Sequence, residues 1–351
     1  MYNESMSKTY LPQYQLTPKL VSLITQIERL YGQIEGLKIP QKLELNLKRN
    51  NLIQSSHASN KVEGNPLTLP EVTNLLLNDR VPVNRDEKEV VNYFEILSNL
   101  KNYTETPFGI ELLKRIHLQL MDGIANFAGK IRNERVVIGK FHEKKKESQE
   151  GFSLKVKHEP PFHKQKEIEE ELKNLFTWVN SKDEIPAILK AGLFHHQLVY
   201  LHPFEDGNGR VARLLTALLF LKQGYDINRY FILDDYYDID RIQYSDGLHE
   251  ADKGNVAIWL EYFAEGVKYS LQSALSKFEN AMKTVSIAKR PTNKEKEVLQ
   301  IMERQPEITS AEIAKKFKVS RQQAHNLLKA LVEKGFVERK GSTKSSYYVM
   351  K

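Results

Sequence analysis

One stretch holds most of the chemistry open to this chain. It reads His202, Pro203, Phe204, Glu205, Asp206, Gly207, Asn208, Gly209 and Arg210, with Arg213 three residues further on. His202 is a base whose neutral form is populated near pH 7. Asp206 is a carboxylate suited to holding a divalent cation against phosphates. Gly207 and Gly209 flank Asn208 and allow left-handed backbone and close approach to a ligand. Successive N–H groups at a helix start form an anion nest, helped by the helix dipole. Arg210 and Arg213 share a helix face, so both reach the same anion. A base, a cation holder and a phosphate cradle therefore lie together.

Two elements must position these groups. Residues 191–201 are apolar enough for a helix, which Pro203 stops. Val211, Leu214, Leu215, Leu218 and Leu219 recur at helical spacing. The pattern predicts helix–loop–helix, with Asp206 to Gly209 as the loop and Arg210 opening the second helix. A metal site of His195, His196 and His202 is a competing reading. His195 and His196 are adjacent and face different sides of one helix, which weighs against it.

The run resembles the signature of the Fic family, His-Pro-Phe-x-Asp-Gly-Asn-Gly-Arg-x-x-Arg, and meets every fixed position. The resemblance implies transfer of AMP from ATP to a Ser, Thr or Tyr hydroxyl of a protein. His202 would be the general base and Asp206 would hold Mg²⁺. Gly207, Asn208 and Gly209 would cradle the phosphates through backbone N–H groups and the Asn208 amide. Arg210 would meet the leaving pyrophosphate and Arg213 the γ-phosphate. Related kinase-type toxins carry Lys where this chain has Gly209, so Gly here favours AMP transfer over phosphate transfer.

Further segments extend the resemblance. Ser59-Asn60-Lys61-Val62-Glu63-Gly64 resembles the family's inhibitory motif, Ser/Thr-x-x-x-Glu-Gly/Asn. Ser59 and Glu63 are four apart and share a helix face. The implied role is a Glu63–Arg213 pair that occupies the space of an ATP γ-phosphate. Val136, Val137, Ile138 and Gly139, then residues 152–156, read as a β-hairpin around a charged loop at 140–151. In the family such a flap holds the target's backbone as an added strand. Residues 244–254 partly match the family segment beside the adenine, making Tyr244 and Asp252 candidate base contacts. Ser245 and Asp252 depart from the tyrosine and asparagine of that pattern.

The rest of the chain reads as mainly α. A helix from Pro18 places Leu20, Ile24, Ile27 and Tyr31 on one face, and a second runs over about 41–62 with Leu43, Leu45, Leu47 and Leu52. Thr68 and Glu71 form a capping box. Helices are predicted at 87–103, 108–123, 186–201 and 209–224, and one after Pro160-Pro161 carries Ile168, Leu172, Leu175, Phe176 and Val179 and leads to Asn180. Two more fall within 236–264, and a last one covers 260–282. Residues 284–293 read as a linker. The final segment reads as three helices and two short strands, resembling a winged helix-turn-helix, whose third helix enters the major groove of DNA. Arg321, Gln322, Gln323 and Asn326 would face bases, and Lys340 and Lys344 would tip the wing. The expected domains are an N-terminal helical region with the inhibitory helix (1–105), a helical catalytic core with a β-hairpin flap (106–283) and a winged-helix α+β domain (284–351).

Composition sets bounds. The chain has 351 residues, net charge +7 and no cysteine, so it has neither disulfides nor thiolate chemistry. Residues 291–351 hold ten Lys and three Arg against seven Glu and no Asp, a net +6. Any attraction to nucleic acid is therefore expected at the C-terminal end. No apolar run approaches the roughly 18 residues of a membrane span, and the first ten residues lack a signal-peptide pattern, so the expected location is the cytoplasm. The expected function is an ATP- and Mg²⁺-using protein adenylyltransferase, autoinhibited by Glu63, acting on a target protein or on itself, with a homodimer as one arrangement. The alternatives are a DNA-binding regulator whose core senses nucleotide, and an enzyme that uses Glu63 to remove AMP from a modified protein.

Overall fold

A computed structural model describes residues 10–78, 80–146, 149–226, 232–288, 290–305, 307–341 and 346–350. The chain divides into two compact units, one ending at Ser276 and the other beginning at Lys277.

The first unit is helical. Helix α1 (Pro18–Glu35) is capped by the Thr17 hydroxyl, which accepts from the Leu20 N–H. It buries Leu20, Leu23, Ile27, Tyr31 and Ile34. Ile24, expected on this face, lies at its edge and is half-buried. Helix α2 (Gln41–Val62) has the expected bounds; of its expected apolar residues Leu52 is buried but Leu45 is 60% exposed. Its buried side joins Leu52, Ile53 and Ala58 to the small polar Ser55, Ser56, Ser59 and Asn60. Helix α3 (Leu69–Leu77) begins at Thr68, whose N–H and hydroxyl both donate to Glu71. Helix α4 (Arg85–Ser98), a 3₁₀ turn (Leu100–Tyr103) and helix α5 (Ile110–Leu120) follow.

An antiparallel hairpin comes next, β1 (Ile138–Lys146) with β2 (Gln149–His158). It corrects the sequence reading twice. Lys144, Lys145 and Lys146 lie in β1, not in a loop, and Val136 and Val137 precede the strand. A run of lysines has little strand propensity, and the cross-strand ladder overrides it. A register shift falls between Ile138 and Gly139.

Helix α6 (Gln165–Asn180) leads to α7 (Ala187–Leu201) and α8 (Asn208–Lys222). Both α7 and α8 are apolar nearly all round, which is the mark of a helix enclosed by others. Ile188, Leu189, Phe194 and Leu198 of α7 and Val211, Leu214, Leu215 and Leu218 of α8 are buried. Helices α9 (Asp234–Ile239), α10 (Arg241–Asp252) and α11 (Val256–Ala288) complete the layer. Helix α9 packs on α2, which also lies against α4 and α8. Helix α11 starts earlier and ends later than expected, so residues 284–288 are helix and not linker. No described helix is long and apolar enough to cross a membrane.

The second unit holds α12 (Asn293–Arg304), β3 (Glu307–Ile308), α13 (Ser310–Phe317), α14 (Arg321–Glu333), β4 (Val337–Lys340) and β5 (Tyr347–Met350). The strands form one antiparallel sheet in the order β3-β5-β4. Val298, Met302, Ile313, Leu328, Leu331 and Tyr348 fill its core. Capping boxes start all three helices: Thr292 with Glu295, Thr309 with Glu312, and Ser320 with Gln323. This is a winged helix with a third, two-residue strand that the sequence reading did not anticipate.

Candidate active site

The loop between α7 and α8 is built by backbone conformation that the sequence only half announces. Helix α7 ends at His202, which is left-handed at φ 46° although it is not glycine. Gly207 is left-handed too, at φ 81°, and is the N-cap of α8. The helix therefore begins at Asn208, two residues before the expected start, and Gly209 lies within its first turn. The loop proper is 202–207.

Distant residues hold this loop. Arg132 is 2% exposed and donates to the carbonyls of His202 (2.6 Å), Glu134 (2.7 Å) and Phe162 (2.7 Å). Its own N–H donates to Pro203 O at 2.9 Å. His117 of α5 stacks on Phe204 at 3.6 Å between ring centroids. The Gly129 N–H donates to His117 Nδ1, so Nε2 carries the proton and donates to Asp206 O at 3.0 Å. Burial lowers the His117 pKa to about 4 and keeps this neutral tautomer in place. Asn208 pinches the loop: its side chain accepts from Phe204 N–H and donates to Phe204 O, both at 2.9 Å.

The pinch engages part of the expected cradle. One N–H of the Asn208 amide is on Phe204 O, and the Gly207 N–H donates to Asp206 Oδ1 at 2.6 Å. The donors left for an anion include the first N–H groups of α8, at Asn208, Gly209 and Arg210, which have no acceptor inside their own helix.

His202 is half-buried, with the His158 ring 6.3 Å away. Burial, then the nearby His158 and Arg132, lower its pKa to about 4, while the Val199 carbonyl and Glu63 pull weakly the other way. It is thus neutral, as a general base must be.

Asp206 is partly exposed and faces two cations. Arg85 of α4 reaches Oδ2 at 3.2 Å, and Arg210 lies 3.6 Å from Oδ1. Arg210 itself is buried, 3.3 Å from Glu89. Among the described residues no group of three His, Cys, Asp or Glu side chains is placed to hold a metal.

Arg213 is enclosed as deeply as Arg210 and Arg132. Its side chain is 2% exposed and that of Glu63 is 35% exposed. Nη2 donates to Glu63 Oε1 at 2.7 Å and to Ser59 O at 3.0 Å, and Nε donates to Ser59 Oγ at 2.6 Å. Nε also lies 3.4 Å from Asp234 Oδ1. Burial alone would lower the Arg213 pKa, but Glu63, Tyr244, Tyr93 and Asp234 outweigh it and hold the guanidinium charged. Glu63 caps the C-terminus of α2, and its carboxylate lies against Gly209: a Cβ there would collide with it. The structure thus brings Ser59, Glu63, Gly209 and Arg213 together across 150 residues of sequence.

The two candidate base contacts are already hydrogen-bonded within the protein. The Tyr244 hydroxyl and His195 Nε2 are 2.9 Å apart, and His195 Nδ1 is 3.0 Å from the Thr216 hydroxyl, which donates to Ala212 O. Both ring nitrogens of His195 are therefore spent on hydrogen bonds, which removes it as a metal ligand. Asp252 pairs with His196 Nε2 at 2.9 Å and with His158 Nδ1 at 2.8 Å. A base at Tyr244 or Asp252 would compete with these histidines. Ile138 and Gly139 open β1, whereas Val136 and Val137 lie before it.

In the second unit Arg321, Gln322 and Asn326 are exposed along α14, as is Lys340 on β4. Gln323 is exposed as well, but its side-chain oxygen accepts from the Ser320 N–H and serves the cap. Lys344 lies outside the described residues.

Residues 107–220, which hold the loop and both flanking helices, match the Fic/DOC family. They form a Fic/DOC family domain. Residues 291–345 match the MarR family. Protein adenylyltransferase fic-1 of Caenorhabditis elegans is 27% identical over 235 residues, covering 64% of this chain and 41% of the relative. Protein adenylyltransferase Fic of Nematostella vectensis is 28% identical over 233 residues, covering 64% and 48%. The chain thus spans less than half the length of these two curated relatives. In fold, a Fic family protein from Desulfovibrio desulfuricans G20 superposes over 97% of this chain and 98% of its own, with TM-score 0.67 and 22% identity. A fragment of Fic-1 from C. elegans covers 76% of this chain with TM-score 0.58 and 23% identity. The match thus spans the Fic domain and the helices around it.

Proposed function

We propose that this chain is a protein adenylyltransferase that moves AMP from ATP to a Ser, Thr or Tyr hydroxyl of a target protein or of itself, and that Glu63 restrains it. The observation that carries this reading is the Glu63 carboxylate, seated on Arg213 against Gly209 at the start of α8. An anion already occupies the place that a helix N-terminus and a buried guanidinium offer to a phosphate. The names of the curated relatives support the same reaction.

In this reading His202 takes the proton of the acceptor hydroxyl. The freed oxygen bonds to the α-phosphorus as the bond to the bridging oxygen of the β-phosphate breaks, and pyrophosphate leaves. The N–H groups of Asn208, Gly209 and Arg210 steady the phosphate oxygens, Arg210 offsets charge on the leaving pyrophosphate, and Arg213 receives the γ-phosphate once Glu63 withdraws. Positioning and charge stabilisation supply most of the rate. Asp206 is the residue that would hold Mg²⁺, which screens phosphate charge when bound. One partly exposed carboxylate, completed by phosphate oxygens and water, suits that ion. The edge of the flap at Ile138 and Gly139 would take the target's backbone as an added strand.

The test is incubation of the Glu63→Gly chain with α-labelled or γ-labelled ATP. Protein labelled from the α-label alone supports AMP transfer; label from the γ-position alone refutes it. Loss of AMP from a labelled target that needs Glu63 would assign that residue to the reverse reaction.

For the second unit, the match to the MarR family and the net +6 of residues 291–351 favour DNA binding through Arg321, Gln322, Asn326 and Lys340. Gel shift of the full chain at rising salt tests it. Binding that weakens with salt and with Arg321→Ala supports the assignment, and no shift at low salt rejects it.

A further inference from the structure

Glu63 is not the only carboxylate on Arg213. Asp234, the first residue of α9, lies 3.4 Å from Arg213 Nε and is 7% exposed. It is surrounded by donors. Ser55 Oγ donates to Oδ2, and the Tyr93 hydroxyl donates to Oδ1 at 3.4 Å. These donors come from three elements: Ser55 from α2, Tyr93 from α4 and Arg213 from α8. Burial raises the Asp234 pKa, and Arg213 with the hydroxyls of Ser55, Ser59 and Tyr93 opposes that rise.

The two carboxylates differ in what they can do. The Glu63 side chain is 35% exposed and projects from the C-cap of a helix, so it can leave. Asp234 is fixed from three sides and cannot. If a phosphate displaces Glu63, the groups still around Arg213 include the Ser59 hydroxyl and carbonyl and the Tyr244 hydroxyl, which are neutral, and the charged Asp234. An anchor at Nε leaves the two terminal nitrogens for other partners: Nη2 donates to Glu63 and to Ser59 O. Nη1 is buried and has no hydrogen-bond partner among the described residues. It lies beside Gly209, in the first turn of α8.

We propose that Asp234 is a positioning residue for Arg213: it keeps the guanidinium aimed at the phosphate site after Glu63 withdraws. Ser55 and Tyr93 hold the carboxylate in turn. The inference rests on the reading that a nucleotide γ-phosphate takes the place of Glu63. It divides the two acidic neighbours of Arg213 into one that blocks and one that aims.

Two measurements test it. The first is the affinity of the full chain for ATP and for ADP, compared between Glu63→Gly and Glu63→Gly with Asp234→Ala. Loss of the anchor should weaken ATP binding by about tenfold or more, the scale of losing one partner of an enclosed ion pair, with ADP changed less than about twofold. Asp234→Asn keeps the shape and loses the charge, so it should weaken ATP binding nearly as much as Asp234→Ala, because Nε already donates to Ser59 and its contact with Asp234 is an ion pair. Equal weakening of both nucleotides, or no weakening, overturns the proposal. The second is a crystal structure of Glu63→Gly without nucleotide, which needs no change at Asp234 and decides the matter if Asp234→Ala does not fold. Arg213 Nε should stay within hydrogen-bond reach of Asp234, and a guanidinium turned elsewhere overturns the proposal. If Glu63→Gly binds no nucleotide, the functional reading fails, while the crystal structure still reports whether Asp234 holds Arg213.

Discussion

Replacing Glu63 by glycine removes one hydrogen bond from Arg213, and the structure sets its size. The bond joins two charges at 2.7 Å, with Arg213 enclosed and Glu63 about a third exposed. A hydrogen bond to a charged group contributes about 1.5–3 kcal/mol. Exposure of the carboxylate to solvent and salt places this one at the lower end, roughly 1.5–2 kcal/mol. Arg213 is not orphaned by the change, because Ser59 and Asp234 remain. Release of the site is therefore worth about ten- to thirtyfold in the competent population. The assay is the initial rate of AMP incorporation from α-labelled ATP at saturating nucleotide, wild type against Glu63→Gly. A gain of about tenfold or more is expected, with a smaller change in ATP affinity. A rate within about twofold of wild type refutes the reasoning and leaves Glu63 an ordinary helix-end residue.

Other outcomes follow from the same geometry. Adding Arg213→Ala to Glu63→Gly should cancel the gain, and a double variant as fast as the single one would show that the pair is not the restraint. His202→Ala should abolish transfer with little change in melting temperature, since Arg132 binds the backbone carbonyl of residue 202 and not its ring. Because burial lowers the His202 pKa to about 4, the neutral base persists well below pH 6. The rate of Glu63→Gly should stay flat from pH 8 to about pH 5.5 and fall only as pH drops toward the folded pKa. Half-loss near the ordinary value of about 6.5 would contradict that environment. Arg85 pairs with the carboxylate that would hold Mg²⁺, so Arg85→Ala should lower the Mg²⁺ concentration for half-maximal rate; a rise would show that Arg85 serves the phosphates instead.

The parts of the site that are close in sequence were the parts that could be read there. Residues 202–213 display their chemistry in one line, and Ser59 with Glu63 display theirs by a four-residue spacing. Arg132, His117, Asp234 and Glu89 offer no such signal. Each acts across a fold that brings distant helices together, and no local period marks them. The bonds between the Asn208 amide and Phe204 could not be read, because side-chain type tells what a group can bond, not what it does bond. Among elements, α1, α6 and α13 follow from apolar period, proline and caps. The long β1 strand does not, since its lysines carry no strand preference and the partner strand imposes the conformation. The early start of α8 escaped because Gly207 is its N-cap, and a glycine's type does not say whether it lies inside a loop or opens a helix.

The end of α2 sets how the restraint behaves in time. The helix is fastened up to Asn60: Ile53, Ala58, Ser59 and Asn60 are buried, and the Asn60 amide donates to Ser56 O at 2.8 Å. Beyond it the backbone is held by Glu63 N–H to Asn60 O and Gly64 N–H to Lys61 O, by the Lys61–Asp238 pair, and then by buried Asn65, whose amide donates to Asp86 O at 3.0 Å. Only this last turn has to move, and terminal segments move in nanoseconds to microseconds. Turnover of a phosphoryl-type transfer is far slower, on the order of 1–100 per second. On the proposed reading, then, the resting protein is never silent. It samples the open form many times per turnover and runs at a basal rate equal to its open fraction. A regulator changes that fraction by gripping or freeing four residues, and no wholesale displacement of the helix is required.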